Sequence, residues 1–267
     1  MLPEDQARHN AARFDRLATT YDQLGFLALA ARELARQLRV EPGQAVLDVA
    51  SGTGTVALEL ASRVGTSGRV VGTDLAPRMV AQARSKAQGI PQLSFELADA
   101  SALPFPDATF DRVICASGLF FMPDMVQALR EWRRVVRPGG LVAFSSFGPG
   151  LLGELPALWR EELTASGLKP APPPLGRLPS VEAARELLQQ VSFQDAQVSL
   201  EPLSYTLSSP EARWADITAG LEGDPVSALS AEALARLRRA HLSRLREAVP
   251  SWPLTVPVPV IVAIAVR

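Results

Sequence analysis

Between Glu41 and Phe147, short β-branched or apolar runs alternate with helical patterns, and nothing else in the chain restricts the fold as strongly. The runs are Ala45–Val49, Arg69–Thr73, Ser94–Leu97, Arg112–Ala116 and Leu141–Phe147. Runs this short and apolar read as strands buried on both faces, and strands joined through helices pair in parallel. Helices are expected to start near Thr55, at Pro77 and at Pro123, since a proline in the first turn lacks an N–H that would have had no partner there. Pro138-Gly139-Gly140 is expected to stop the third.

The flanks are helical before and mixed after. Phe14, Leu17, Ala18 and Tyr21 share one face of an N-terminal helix, and a second covers about Leu27–Leu38. Four prolines around one alanine at Pro170–Pro174 predict an extended loop, and Ser180 an N-cap for a helix to about Gln190. A strand over Ala196–Leu207, helices over Pro210–Leu221 and Ser230–Val249, and a last strand from Leu254 complete the chain. The stretch Leu254–Val266 is too short to cross a bilayer as a helix and contains Pro257 and Pro259, which suggests a strand near a sheet edge. The helical insertion before it is a natural place for a lid or an acceptor pocket.

Composition narrows the partners. Hydrophobic residues at 47% and charged residues at 21% fit a folded globular chain. Lys plus Arg number 27 against 28 Asp plus Glu, so no global positive field draws nucleic acid. The single cysteine, Cys115, cannot form an internal disulfide and reads as a small buried hydrophobe; the polar Met1–Asn10 stretch lacks the apolar core of a secretion signal. A cytoplasmic location without stable membrane insertion follows. The oligomeric state is not legible.

The chemistry centres on Val46-Leu47-Asp48-Val49-Ala50-Ser51-Gly52-Thr53-Gly54-Thr55, a strand running through a tight glycine loop into a helix. Gly52 and Gly54 allow close backbone approach to a ligand. Gly52-Thr53-Gly54-Thr55-Val56-Ala57 also satisfies the dinucleotide fingerprint, with Asp74 placed to grip ribose hydroxyls in either case. Asp48, beneath the loop, would repel a pyrophosphate but suits an amino-acid ammonium group, such as that of S-adenosylmethionine. Asp99 closes the third strand region, where a carboxylate can accept from an adenine amine. Each aspartate alone is equally readable as a helix N-cap or a solvated loop charge. Three acids at three successive strand ends point jointly to a site at the carboxyl edge of the sheet.

The ordered set Leu47–Gly54, Val71-Gly72-Thr73-Asp74-Leu75, Asp99-Ala100, Leu103-Pro104-Phe105-Pro106-Asp107, Phe110-Asp111-Arg112-Val113 and Arg137-Pro138-Gly139-Gly140 resembles class I S-adenosylmethionine-dependent methyltransferases, most closely the ubiquinone/menaquinone-biosynthesis type. The resemblance covers about Glu41 to Phe147. It implies a doubly wound, Rossmann-like α/β fold with a seven-stranded, mostly parallel sheet whose last strand is antiparallel. It also implies one domain: lid helices over 1–40, a cofactor-binding core over 41–147, and acceptor-side helices and the last strands over 148–267. By the same resemblance, Asp48 and the loop Ala50, Ser51, Gly52, Thr53 and Gly54 sit at the methionine moiety, and Asp74 at the ribose. Leu75 and Met79 flank the adenosine, Asp99 and Ala100 hold the adenine, and Ala116 and Ser117 approach the sulfonium. Tyr21 resembles the aromatic of a lid helix, although core packing of that helix explains the same spacing.

Three departures matter. Ala50 replaces the usual first glycine, which is tolerable with a negative φ and a methyl group turned away from the ligand. Phe120-Phe121 excludes a histidine base at that point. Cys115-Ala116-Ser117-Gly118 lacks the motif of enzymes methylating nucleobase or glutamine amino groups. No metal is called for and no catalytic base can be named: His9 and His241 both read as surface residues, and Tyr21, Tyr205 and Asp22 are acceptor-side candidates only. The helix over Ser230–Val249, with Arg236, Arg238, Arg239, Arg244 and Arg246 opposite a leucine stripe, reads as a lid helix with its arginines in water, the alternative being an anionic membrane surface. Arg130, Arg133, Arg134 and Arg137 read as the solvated face of another helix. Methyl transfer to a small apolar or aromatic acceptor is the expected function, helped by the apolar Phe120-Phe121-Met122 segment. The alternatives are a nicotinamide-dependent oxidoreductase and a non-catalytic S-adenosylmethionine-binding protein.

Overall fold

The computed structural model describes residues 2–170 and 174–267. Helices α1 (Pro3–Leu17) and α2 (Gly25–Leu38) precede β1 (Ala45–Val49), α3 (Thr55–Val64), β2 (Arg69–Asp74), α4 (Pro77–Lys86), β3 (Leu93–Leu97), β4 (Phe110–Cys115), α5 (Met125–Val135) and β5 (Val136–Phe147). Then follow α6 (Leu155–Ala165), α7 (Val181–Gln190), β6 (Gln194–Leu207), α8 (Pro210–Ala219), α9 (Ala231–Ala248) and β7 (Leu254–Val266). The proline-rich loop expected over Pro170–Pro174 falls largely outside the described residues.

The seven strands form one sheet in the order β3-β2-β1-β4-β5-β7-β6. The first five are parallel, while β7 runs antiparallel to both β5 and β6. Alternate side chains face opposite layers: Val46, Val70 and Ile114 pack under α2, α3 and α4, while Leu47, Val71 and Val113 pack against α5 and α7. Each central strand is thereby buried twice, as its unbroken apolar run requires. The order reverses at β1 and β4, so the chain leaves these neighbouring strands toward opposite faces and opens a crevice beyond their carboxyl ends.

Several boundaries differ from expectation, for local reasons. Asp124 rather than Pro123 caps α5, accepting from the Gln127 N–H at 2.9 Å. That helix ends at Val135 without help from Pro138-Gly139-Gly140, which lies inside the extended start of β5. Helix α8 stops at Ala219 and passes into a 3₁₀ turn, Leu221–Val226. Ser180, Ser209 and Ser230 each cap the following helix through the hydroxyl oxygen.

Strand β7 lies near the sheet edge as expected, next to the edge strand β6, and is paired on both sides. Its prolines survive because β5 pairs with β7 only as far as Phe147 opposite Val260. Past that point the carbonyls of Pro259 and Pro257 accept from Gly148 and Leu152 N–H at 2.8 and 2.9 Å. The missing proline N–H groups thus face a loop, where no ladder partner is lost.

The arginines of α9 mostly find partners: Arg236 pairs with Glu232, Arg244 with Glu161 and Arg246 with Glu211, while Leu237, Leu242 and Leu245 are buried. Among the described residues, no helix is long and apolar enough to cross a membrane.

Candidate functional site

After β1 the chain turns through Ala50–Gly54 into α3, with positive φ at Ala50 (+53°), Gly52 (+55°) and Gly54 (+86°). The sequence argument required a negative φ at Ala50; the left-handed value corrects it. Its methyl group points toward Gly118, where an added Cβ would lie only 2.9 Å away, so the glycine on the neighbouring strand end makes room for the alanine.

Asp74 ties this loop to the next strand. Its carboxylate accepts from Gly52 N–H and from Ala76 N–H, both at 2.9 Å, so it orders the loop and the start of α4 together. Burial raises the Asp74 carboxyl above the usual range, against the pull of those N–H groups. Asp48 lies deeper, 1% exposed, with one carboxyl oxygen lacking any partner. Desolvation pushes it up to about 8, opposed by the Ala57 N–H in the first turn of α3 and reinforced by the Asp74 charge. Asp99 lies two residues past β3 in a turn, exposed, accepting from Ser101 N–H at 2.8 Å.

Ala116 and Ser117 follow β4. Ser117 also has a positive φ, +55°, and its N–H donates to the Ser145 hydroxyl of β5 at 3.0 Å. Thus β1 and β4, adjacent in the sheet, both end in a left-handed non-glycine residue. Such conformations cost of order 1 kcal/mol or more and cluster at ligand sites.

These side chains surround one cavity of about 430 Å³ at the carboxyl edge of the sheet. Asp48, Ala50, Ser51, Gly52, Thr53, Asp74, Leu75, Met79, Asp99, Ala100, Ala116, Ser117 and Tyr21 all border it. Gly54 does not. It is needed instead for packing, because a Cβ there would meet the Phe95 ring at 2.6 Å.

The N-terminal segment closes the cavity from above. Tyr21 lies past the end of α1, in a 3₁₀ turn over Tyr21–Gln23, rather than on the helix itself. Phe14 packs edge-on against Tyr21 and Phe121, with centroids 5.9 and 4.9 Å apart. Asn10 donates to the Phe121 carbonyl at 2.9 Å, and Asp22 accepts from Thr53 of the glycine loop and from Lys86 of α4. Desolvation, then the carboxylates of Asp74 and Asp22, raise the Tyr21 phenol, which therefore stays protonated. Asn10, Leu24, Leu27 and Lys86 also border the cavity and were not foreseen. No motif marks them: the docking of the N-terminal segment brings Asn10, Leu24 and Leu27 there, and Lys86 comes from the end of α4.

A second cavity of about 540 Å³ adjoins the first and shares with it Tyr21, Leu24, Leu27, Ser117 and Phe121. Phe26, Phe120, Phe147, Leu152, Trp159 and Leu163 make most of its wall apolar. His9 is exposed on α1, whereas His241 is fully buried between Trp159 and Trp214, contrary to the surface position expected of it.

Residues 46–140 match the family model described as a methyltransferase domain. The chain is 35% identical over 147 residues to the demethylmenaquinone methyltransferase of Lysinibacillus sphaericus, covering 53% of this chain and 63% of that protein, just under two thirds of its length. It is 35% identical over 179 residues to the ubiquinone/menaquinone biosynthesis C-methyltransferase of Geobacter sulfurreducens, covering 61% of this chain and 70% of that one. The crystal structure of the YcgJ protein of Bacillus subtilis superposes with a TM-score of 0.60 at 20% identity, over 89% of this chain and 97% of that chain, a likeness of fold.

Proposed function

Because this chain belongs to the class I S-adenosylmethionine-dependent methyltransferases of the ubiquinone/menaquinone-biosynthesis type, we propose that it methylates a small, largely apolar acceptor held in the second cavity. Its cofactor is S-adenosylmethionine, which when bound supplies an electrophilic methyl group on a sulfonium. The relatives are methyltransferases, and the nicotinamide-dependent alternative is dropped.

The residues present fit that cofactor. The orphaned oxygen of the buried Asp48 suits a cationic amino-acid head, and a diphosphate there would lie against the half-buried Asp74 carboxylate. In this reading Asp74 takes the ribose hydroxyls with its remaining acceptor capacity, Asp99 and Ala100 the adenine, and Leu75 and Met79 its faces. Tyr21, Phe14 and Phe121 keep water from the junction of the two cavities. Ser117, held by Ser145, fixes the strand end beside that junction.

The observation that carries the proposal is the meeting of the cavities at Tyr21, Ser117 and Phe121. Two ligands in contact there, one polar and one apolar, gain the positional advantage on which methyl displacement depends. Methyl-labelled cofactor incubated with reduced naphthoquinones and polycyclic phenols, and in parallel with adenine, alkylamines and glutaminyl peptides, tests it. Label is expected only in the apolar ring compounds. Label confined to the polar amines and amides contradicts the acceptor assignment.

A further inference from the structure

Where the fold gathers charge around its two cavities, arginines meet carboxylates. Arg13 and Arg16 of α1 share Asp224, and the buried Arg213 of α8 pairs with Glu222 beside Asp216, at the polar end of the second cavity. The last turns of α5 differ. Arg130, Arg133 and Arg134 are spaced to share one face of that helix, where like charges repel. Arg134 is neutralised: it donates to Glu131, Asp107 and the carbonyls of Leu103 and Phe105. Arg137 pairs with Asp111. Among the described residues, Arg130 and Arg133 form no ion pair, and the Arg133 Nε is buried with nothing to accept its hydrogen.

These three arginines, with Arg267, Gln190 and Ser192, wall an open basin of about 490 Å³ where the ends of α5, α7 and β7 meet. Val266 pairs with Leu141, so the end of β7 lies by the start of β5, at the amino edge of the sheet and away from the cofactor crevice. Capping of α5 does not account for Arg133, because Arg267 donates to the Arg134 and Val136 carbonyls at that helix end. The main-chain oxygen of Arg267 takes the Gly139 N–H. Glu186, one turn before Gln190 on α7, and Asp195, just past Ser192, pair with none of these arginines among the described residues. The two unpaired guanidinium groups therefore keep their donors for a ligand. A neutral ligand would leave their repulsion in place and a cation would add to it. A carboxylate offers two oxygens and one charge, whereas a phosphate group offers three oxygens and up to two charges, which suits two planar forks.

We propose that Arg130 and Arg133, with Gln190 and Ser192, form a binding site for a phosphate group at the amino edge of the sheet, separate from the methyl-transfer crevice. The site stands independently of the acceptor assignment. The intact chain, in phosphate-free buffer, is titrated calorimetrically with pyrophosphate against chloride of matched ionic strength. In parallel it is sedimented with phosphatidylcholine vesicles with and without phosphatidylglycerol. Saturable binding of pyrophosphate or of the phosphatidylglycerol vesicles is expected, weakened at least about tenfold in the double variant Arg130→Gln/Arg133→Gln, which keeps most of the side-chain stems. Pyrophosphate binding alone identifies a soluble phosphorylated ligand, and variant-sensitive vesicle binding a lipid headgroup; each supports the site. S-adenosylhomocysteine affinity is expected to be unchanged, and the unliganded double variant to melt no lower than the wild type, since it loses a repulsion and no partner. A wild type that takes neither pyrophosphate nor the phosphatidylglycerol vesicles, or binding undiminished in the double variant, overturns the proposal. A double variant that melts well below the wild type assigns the two arginines to the fold and overturns it as well.

Discussion

Asp48 has the most to gain from a cation. With its carboxyl pushed up to about 8, it is mostly protonated at pH 7 in the free chain, and a neighbouring ammonium favours its ionised form. S-adenosylhomocysteine binding at pH 7 is therefore expected to release close to one proton, read by calorimetry in two buffers of different ionisation enthalpy, and Asp48→Asn to abolish that release. The sign for folding is opposite. A carboxyl raised from about 4 to about 8 contributes its full stability below pH 4 and loses it progressively up to pH 8. Asp48→Asn is thus expected to melt several degrees above the wild type at pH 9, with the gap closing toward pH 4. Ala50 and Gly118 form a second test: Gly118→Ala places a Cβ 2.9 Å from the Ala50 methyl and 2.8 Å from the Cys115 sulfur, and is expected to cost about 1 to 3 kcal/mol in urea unfolding. Ala50→Gly relieves a left-handed alanine and is expected to raise stability by about 0.5 to 1 kcal/mol. Sequence alone placed Asp48, Asp74 and Asp99 near one another because strand ends share an edge. The φ of Ala50 was misjudged because it depends on a glycine far along the chain.

At the scale of elements, the N-terminal helix is the part held by tertiary polar contacts. Asp15 accepts from the Arg78 N–H at the start of α4 at 2.8 Å, and Arg13 reaches Asp224 at 2.6 Å, both partners being about four-fifths buried. Removing Arg13 leaves the Asp224 carboxylate with only the longer contact to Arg16 at 3.4 Å. Arg13→Ala is expected to speed amide hydrogen exchange in α1 and weaken S-adenosylhomocysteine binding, with exchange in β1, β4 and β5 unchanged. Uniform acceleration across the sheet counts against α1 as a separable lid. The helices were readable from apolar spacing, capping serines and first-turn prolines. Tyr21 was placed on α1 because it continues that helix's stripe by one turn, but the helix ends at Leu17 and the side chain arrives from a 3₁₀ turn. The place of β7 near the sheet edge was legible from its two prolines, but its pairing on both sides was not, since only the short reach of β5 shows that the missing N–H groups are not needed here.

For the molecule as a whole, a sheet ordered β3-β2-β1-β4-β5-β7-β6 supplies the crevice, the N-terminal segment roofs it, and the insertion between the last strands walls the second cavity. Periodicity made the parallel core legible because each strand is buried on both faces. The second cavity was legible only as a location, since its polar end joins residues of α8 and the turn after it through burial alone. The most direct test of the whole arrangement is a crystal structure of the chain with S-adenosylhomocysteine. Density is predicted to run from Asp99 past Asp74 to Asp48, with the sulfur turned toward Tyr21 and Ser117 and open to the second cavity. Nucleoside density lodged beside Asp216, or a sulfur walled off from that cavity, contradicts the division into a cofactor chamber and an acceptor chamber.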